Sequence, residues 1–316
     1  MTLTELRYVV ALAREKHFGR AAQAAFVSQP TLSVAIKKLE QELGAVLFER
    51  SMQDVHTTAL GERVVAQAHI ILNQVAALKE LVKQGQDPTV GALKVGIIYS
   101  IAPYLLPQLM PQMMREHAAM PLIVQENYTH ILLERVKQGT LDAAIVALPV
   151  SDVGLSIAAL YDEPFYIAAS KTHPLAKQKS ISSEELSEEA LLVLGIGHCF
   201  REQVLQATPR AQTFRIEQDG MQKAFEGTSL ETLRHMAASG LGITVLPALA
   251  VPVKTSNDPL KYIPFNQPVP TRRVVLVWRK HYSRTEACEA LAHAVRTCGL
   301  MDVDVLVPIV GEHLSP

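Results

Sequence analysis

Apolar spacing divides the chain into three regimes. In the first, short bursts recur at helical intervals. Leu3, Leu6, Val9, Val10 and Ala13 mark an opening helix. Gly19 to Ala25 predicts a second, built on Ala21, Ala22, Ala24 and Ala25, small enough for another helix to pack closely. A corner falls near Phe26-Val27. Ser28 then stands where an N-cap belongs, with Pro30 in the first turn, where a missing N–H costs nothing. The helix that follows buries Leu32, Ile36, Leu39 and Leu43 on one stripe and turns Pro30, Ser33, Lys37 and Gln41 outward, flanked by Thr31, Val34 and Lys38. Val46 to Arg50 and a polar hairpin-like segment to Thr57 complete a winged unit, residues 1–57.

The second regime is one long helix, Thr58 to Gln84. Val64, Ala68, Ile71, Val75, Leu78 and Val82 alternate steps of four and three, an a/d seam over almost three heptads. A stripe this narrow buries little within one chain, so pairing with the same helix of a second copy is expected over packing on its own domain. Gly85 to Gly91 breaks the helix, giving a linker over residues 58–90.

From Leu93 the pattern alternates between strands and helices, the signature of α/β units. Strands are predicted at Leu93–Tyr99, Leu122–Glu126, Leu141–Leu148, Phe165–Ser170, Ala190–Leu194, Ile243–Leu246 and Val274–Trp278. Helices are predicted at Pro103–His117, Thr129–Gln138, Ser229–Ser239 (from a capping box at Thr228-Ser229-Leu230-Glu231) and Arg284–Cys298. Residues 91–300 suit two similar subdomains, 91–163 plus 268–300 and 164–267. Ligands of such sheets bind at strand C-termini, in the crevice between the halves. Residues 301–316 form a tail.

Composition narrows the partners. Of 316 residues 48% are hydrophobic, enough for proper cores, and no run of about 18 uncharged apolar residues offers a membrane span. The N-terminus carries charges through its apolar positions and lacks a cleavage pattern, so a cytoplasmic location is expected. Net charge is −1, and residues 1–52 hold seven Lys/Arg against five Asp/Glu. Any binding to nucleic acid must therefore use a local arrangement of charge in an oligomer. The outward face of the third helix suits a major groove: hydroxyls and amides reach base edges and lysines reach phosphates. A solvated amphipathic helix would share that pattern, and Arg50 on the wing reads equally as a surface arginine.

The three cysteines, Cys199, Cys288 and Cys298, form neither a disulfide framework nor a metal-ligand spacing. Cys288 and Cys298, ten apart on the closing helix, read as structural. Cys199 lies between His198 and Arg201 at a loop-to-helix junction, where a nearby cation and a helix N-terminus both favour thiolate. The competing reading of a lone cysteine is a small buried hydrophobe. His198 has no partners for metal ligation, and neither a metal nor a cofactor is expected.

The run AAQAAFVSQPTLSVAIKKLEQELGAVLFER resembles the N-terminal signature of LysR-type transcriptional regulators, and the order of parts matches that family along essentially the whole chain. The resemblance implies a winged helix-turn-helix, a linker helix and a periplasmic-binding-protein-like regulatory domain of two subdomains. It places Ser28, Gln29, Pro30, Thr31, Ser33 and Lys37 against double-stranded promoter DNA and Arg50 on the wing. It further implies a homodimer through the linker helix, a homotetramer and contact with RNA polymerase. The runs APYLLP from Ala102, GHCFR from Gly197, TSLETL from Thr228 and LPALAVP from Leu246 are similar to the family's peroxide-sensing members.

That similarity implies Cys199 as a sensor of hydrogen peroxide controlling oxidative-stress genes, with His198, Arg201, Ser100, Thr129 and Thr228 around it and no catalytic role in turnover. One departure stands out. Those members carry a resolving cysteine nine residues after the sensor, and here Thr208 occupies the position. Two other readings follow from it: a regulator that responds to a small-molecule inducer in the cleft, or, in a different class, a one-cysteine thiol peroxidase.

Overall fold

The computed structural model describes residues 1–50, 55–84, 87–150, 153–186, 189–213, 215–218, 221–224, 226–227, 229–252 and 257–306. Two compact units emerge, Met1–Asp87 with Lys137–Thr140, and Pro88–Val136 with Leu141–Pro316.

In the first unit, α1 (Leu3–Glu15) opens on a capping box in which Thr2 and Glu5 satisfy each other's amides. Then come α2 (Phe18–Ala24) and α3 (Gln29–Leu43), the latter capped by Ser28. Strands β1 (Phe48–Arg50) and β2 (Val55–Thr57) pair antiparallel as the wing. Val9, Leu12, Ala21, Ala22, Leu32, Ile36 and Leu39 form its core with Leu47, Phe48 and Val55. Two expected core positions differ. Leu43 is 41% exposed because the helix stops there, at the left-handed Gly44, and the chain turns off the core. Leu3 is exposed and Val10 half-buried, while Leu12, unremarked in the spacing, is fully buried.

Helix α4 (Ala59–Gln84) has 26 residues, about 39 Å at 1.5 Å each. Thr58 starts it, its Oγ1 accepting the Gly61 N–H at 2.9 Å. Gly61 is required: a Cβ there would lie 2.2 Å from the Leu47 carbonyl oxygen. Of the seam, Ala68 is buried, Val64 is half-buried against the winged core, and Ile71 and Val75 are half-buried. Leu78 is 63% exposed, and the side chain of Val82 lies outside the described residues.

The second unit contains β3 (Leu93–Ile98), α5 (Ala102–Glu116), β4 (Leu122–Asn127), α6 (Thr129–Gln138), β5 (Ala143–Ala147), β6 (Leu155–Ser170), β7 (Ala190–Leu194) and α7 (Cys199–Ala207). Short strands β8 (Gln212–Thr213), β9 (Arg215–Gln218), β10 (Met221–Ala224) and β11 (Glu226–Gly227) lead to α8 (Leu230–Ala238) and β12 (Ile243–Pro247). The unit closes with β13 (Leu260–Pro264), β14 (Thr271–Arg279), α9 (Thr285–Thr297) and β15 (Asp304–Val305). One mixed sheet runs β11-β7-β12-β6-β14-β5-β3-β4. It carries two separate cores. One gathers Leu93, Val95, Ile97, Leu105, Ile145, Tyr161 and Leu276 with α9; the other gathers Phe165, Ile167, Leu192, Phe200, Leu233, Val245 and Ile263.

The strand expected at Phe165–Ser170 is the end of β6, a 16-residue strand that begins at Leu155. Half-exposed positions and the run Asp162-Glu163-Pro164 make its first part read as a loop; in the fold Glu163 is fully buried and Pro164 faces Thr271 across the ladder. The box expected at the start of α8 also differs. Ser229 is the cap, its Oγ accepting the Thr232 N–H at 3.2 Å. Glu231 instead accepts the Tyr104 hydroxyl at 3.0 Å and pairs with Arg234 at 2.6 Å, so its carboxylate belongs to the packing of α5 against α8. The tail beyond Leu306 lies outside the described residues.

Arg284, just before α9, fastens the chain's entry into this unit. Its Nε donates to the Pro88 carbonyl (2.9 Å), Nη1 to Ala92 (2.9 Å), and Nη2 to Val90 (3.1 Å) and Gly91 (2.9 Å). One buried guanidinium thus satisfies four carbonyls that no strand or helix uses. Arg284→Ala is expected to lower stability by about 3 kcal/mol in urea unfolding of the full chain. A loss below about 0.5 kcal/mol would mean that water serves those carbonyls as well.

Candidate functional site

Two surfaces concentrate the candidate residues. On the first unit, α3 presents Gln29, Pro30, Thr31 and Lys37 exposed and Ser33 half-buried. Val34 on the same face is 67% exposed and offers only apolar contact. Ser28 is shared between roles: its Oγ accepts the Thr31 N–H at 3.3 Å and lies 2.8 Å from the Thr31 hydroxyl. Phe26, in the corner, takes a left-handed φ of 56°. Arg50 ends β1, opposite Val55, and its side chain lies outside the described residues.

In the second unit three loops converge on one cavity of about 10 Å³, room for roughly one water-sized molecule. Ile98, Tyr99 and Ser100 come from the end of β3; Asn127, Tyr128 and Thr129 from the turn between β4 and α6; Gly197, His198 and Cys199 from the loop after β7. All three loops follow strand C-termini. Cys199 is half-buried and is the first residue of α7, whose first-turn amides stabilise negative charge developing beside them. The Thr129 hydroxyl is buried in this wall with no hydrogen-bond partner among the described residues.

Rings fill the mouth. Tyr128 meets His198 edge-on (4.9 Å, 71°) and Tyr99 likewise (5.4 Å, 76°), and it stacks on His130 (6.0 Å, 14°). Gly197, with φ of 99°, keeps the loop backbone against Tyr128, where a Cβ would already be 3.4 Å from the ring. Burial lowers the His198 pKa below its usual value, so this imidazole is neutral near pH 7 and is not the cation expected beside Cys199.

Arg201 is held nearby by the backbone before this loop. Its Nη1 donates to the Leu194 carbonyl at 2.7 Å, and it is absent from the cavity wall. The buried cation behind the wall is Arg272, which spacing alone does not reveal and which bonds the lining residue Ser100. Its side chain is 1% exposed and pairs with Glu163, 0% exposed, at 2.7 Å. Arg272 Nη1 donates to the Ser100 hydroxyl (2.9 Å) and Nη2 to the Ser100 carbonyl (3.0 Å), while its guanidinium lies over the Phe200 ring at 5.0 Å. Glu163 also accepts the Leu249 N–H at 2.8 Å. The sequence carried a signal: Asp162-Glu163 and Arg272-Arg273 are complementary dipeptides, and they face each other in register across β6 and β14.

Thr228 lies outside the described residues. Thr208 is buried at the C-terminal cap of α7, its hydroxyl bonded to the Val204 carbonyl at 2.7 Å. Burial raises the thiol pKa of Cys288 well above its usual range and that of Cys298 to about 11, so both stay protonated and unreactive. Among the described residues no cluster of three or more His, Cys, Asp or Glu side chains could hold a metal ion. No helix among them is long and apolar enough to cross a membrane.

Comparison with known proteins covers both surfaces. Residues 3–62 match the bacterial regulatory helix-turn-helix model of the lysR family, and residues 86–298 match the LysR substrate binding domain. The chain is 40% identical over 296 residues to a hydrogen peroxide-inducible genes activator of Dickeya chrysanthemi, covering 94% of this chain and 95% of that one. It is likewise 40% identical over 297 residues to the DNA-binding transcriptional dual regulator OxyR of Escherichia coli (strain K12), covering 94% and 95%. Among solved structures, full-length OxyR from Pseudomonas aeruginosa with a cysteine-to-aspartate change aligns with a TM-score of 0.75 at 47% identity, covering 95% and 99%. A hydrogen peroxide-bound OxyR mutant from Corynebacterium glutamicum aligns at 0.61 with 32% identity, covering 94% of each chain.

Two outcomes test this geometry. Arg272→Met leaves Glu163 buried without its partner and is expected to cost about 3–5 kcal/mol in urea unfolding; unchanged stability would remove the pair from its central place. Because His198 is held neutral, the folded chain binds fewer protons than the unfolded one as pH falls through about 6.5. Stability should therefore fall from pH 7.5 toward pH 5, and His198→Asn should flatten that slope.

Proposed function

Because the chain belongs to the LysR family of bacterial transcriptional regulators and is an OxyR-like DNA-binding member of it, we propose that it senses hydrogen peroxide at Cys199 and relays the event to promoter DNA. The single observation that carries this reading is the cavity at Cys199. It is the size of one small polar molecule and is lined by the unpartnered Thr129 hydroxyl. The peroxide-bound state of the Corynebacterium glutamicum relative and the names of the curated relatives point the same way.

The chemistry balances with one peroxide and one proton. The Cys199 thiolate attacks one peroxide oxygen, the O–O bond breaks, and hydroxide leaves to be protonated by solvent; sulfur becomes a sulfenic acid, oxidised by two electrons. Ser100 accepts from Arg272, so its own hydroxyl hydrogen is left to donate toward the leaving oxygen, and Thr129 supplies a second hydroxyl. The first-turn amides of α7 favour the charge that develops there. His198 is a wall of the site and Arg201 anchors the α7 side of the loop. Thr228 stays within this reading only by its resemblance to the family's peroxide-sensing members.

The cavity's size weighs against an organic inducer, and an enzyme that turns over peroxide would have no use for the winged unit and α4. On the output side Ser28, Gln29, Pro30, Thr31, Ser33 and Lys37 read the major groove with Arg50 beside the backbone. Two copies pair through the α4 seam and two dimers form a tetramer that contacts RNA polymerase in the cytoplasm. The exposed Leu78 at the seam supports that pairing.

Thr208 shapes the switch. Across the nine residues of α7 it stands about 13 Å along the helix from Cys199, whereas a disulfide needs Cα atoms within about 7 Å. Even a cysteine there could reach Cys199 only if α7 unwound. Mass spectrometry of the peroxide-treated protein is expected to find Cys199 as sulfenic acid, with a shifted DNase footprint that Cys199→Ser abolishes. In Thr208→Cys the product becomes an intramolecular disulfide. An unmodified Cys199 with an unaltered footprint would sink the proposal.

A further inference from the structure

We infer that Tyr99 and Tyr128 are specificity-determining residues of the Cys199 site, forming with His198 a ring-walled filter that admits hydrogen peroxide and excludes alkyl and aryl hydroperoxides. The inference rests on the peroxide-sensing reading and names the residues that set its selectivity among peroxides.

Three rings meet pairwise at the cavity: Tyr99 with Tyr128 at 5.4 Å, Tyr128 with His198 at 4.9 Å, and Tyr99 with His198 at 5.8 Å. All three belong to the wall of a cavity of only about 10 Å³. Tyr128 is the fixed member. It meets His198 edge-on and stacks on His130, with Gly197 close to its ring. Tyr99 is 37% exposed, with freedom to swing toward solvent, so it is the weaker gate. Edge-to-face ring pairs of this kind add to the contact area they bury, so displacing Tyr128 is costly.

Reaction geometry makes the filter discriminate. Thiolate attack on a peroxide is in line with the O–O bond, so the leaving oxygen points away from sulfur and toward the far wall. In hydrogen peroxide that oxygen carries only a proton and leaves as hydroxide. In tert-butyl or cumene hydroperoxide it carries a bulky carbon and leaves as alkoxide, taking its proton from solvent. Either organic group is several times the volume of the water-sized space available. Binding it requires the Tyr128 ring to leave both histidines. The same wall also excludes a tripeptide thiol, so the sulfenic acid made inside is sheltered while the rings are in place.

The test uses the reduced full-length chain. Second-order rates of Cys199 sulfenic acid formation are measured by quench and mass spectrometry with hydrogen peroxide, tert-butyl hydroperoxide and cumene hydroperoxide, each referred to free cysteine. Hydrogen peroxide should be preferred over cumene hydroperoxide by about 100-fold in the wild type, and by about tenfold less in Tyr128→Ala. Tyr128→Phe, which keeps the ring, should keep the preference. Tyr99→Ala, a change at a partly exposed side chain, should lower it by less and serves if Tyr128→Ala does not fold. Cumene hydroperoxide reacting within about threefold of hydrogen peroxide in the wild type would overturn the filter alone, as would an unchanged ratio in the folded alanine variants. A Cys199 inert to hydrogen peroxide would instead overturn the sensing reading on which the filter rests.

Discussion

The interaction on which the second unit depends is the buried pair of Arg272 and Glu163. Taking both charges out of water is expensive, and a bare ion pair would not repay it. Here the guanidinium and carboxylate are satisfied on every side that the fold presents: Glu163 by Arg272 and the Leu249 amide, Arg272 by two Ser100 oxygens and the Phe200 ring. The partners come from different places. Ser100 ends a strand of one core and Phe200 belongs to the other. One cation therefore sets the spacing between a wall of the Cys199 cavity and the helix that begins with Cys199. Arg273 next to it shows the contrast, since its pair with Asp162 is partly exposed and correspondingly cheap to alter.

Much of this was legible from spacing. The stripe of Leu32, Ile36 and Leu39 and the cap at Ser28 are local rules, and the fold obeys them because helix faces and caps are decided within a few residues. The GHCFR run located the sensor candidate at the start of a helix for the same reason. What escaped is non-local. Arg272 lies at the polar start of a strand that turns apolar from Val274 to Trp278, and its immediate neighbours do not say which side of the ladder it faces or that Glu163, 109 residues earlier, meets it. The cation expected next to Cys199 was assigned to its sequence neighbours, whereas buried charge is compensated by whichever element packs opposite. Leu43 erred for a related reason: periodicity marks a face but does not say where the neighbouring core ends.

On the output side, the winged unit is nearly neutral, and its helix cap already engages the Ser28 and Thr31 hydroxyls. Any contact that those two hydroxyls make to DNA would be shared with, or taken from, this internal bond, which would lower the affinity of one copy. Doubling the number of recognition helices through a second copy multiplies weak contacts without requiring a basic protein. The long α4, apolar on a narrow stripe and polar elsewhere, has the geometry for that role.

The 16-residue β6 has a mechanical consequence. Its first half lies in one core and its second half in the other, and β14 is bonded along it for most of the first half. Two lobes joined by loose strands could close like a clam shell; two lobes sharing a laddered beam cannot bend sharply without breaking cross-strand bonds. Compliance must then reside elsewhere. The short α7, nine residues long, starting after a glycine-containing loop and capped by Thr208, touches the cavity and is not part of the sheet. A chemical change no larger than one oxygen atom would load this spring first, with the sheet as the rigid frame against which it is deflected.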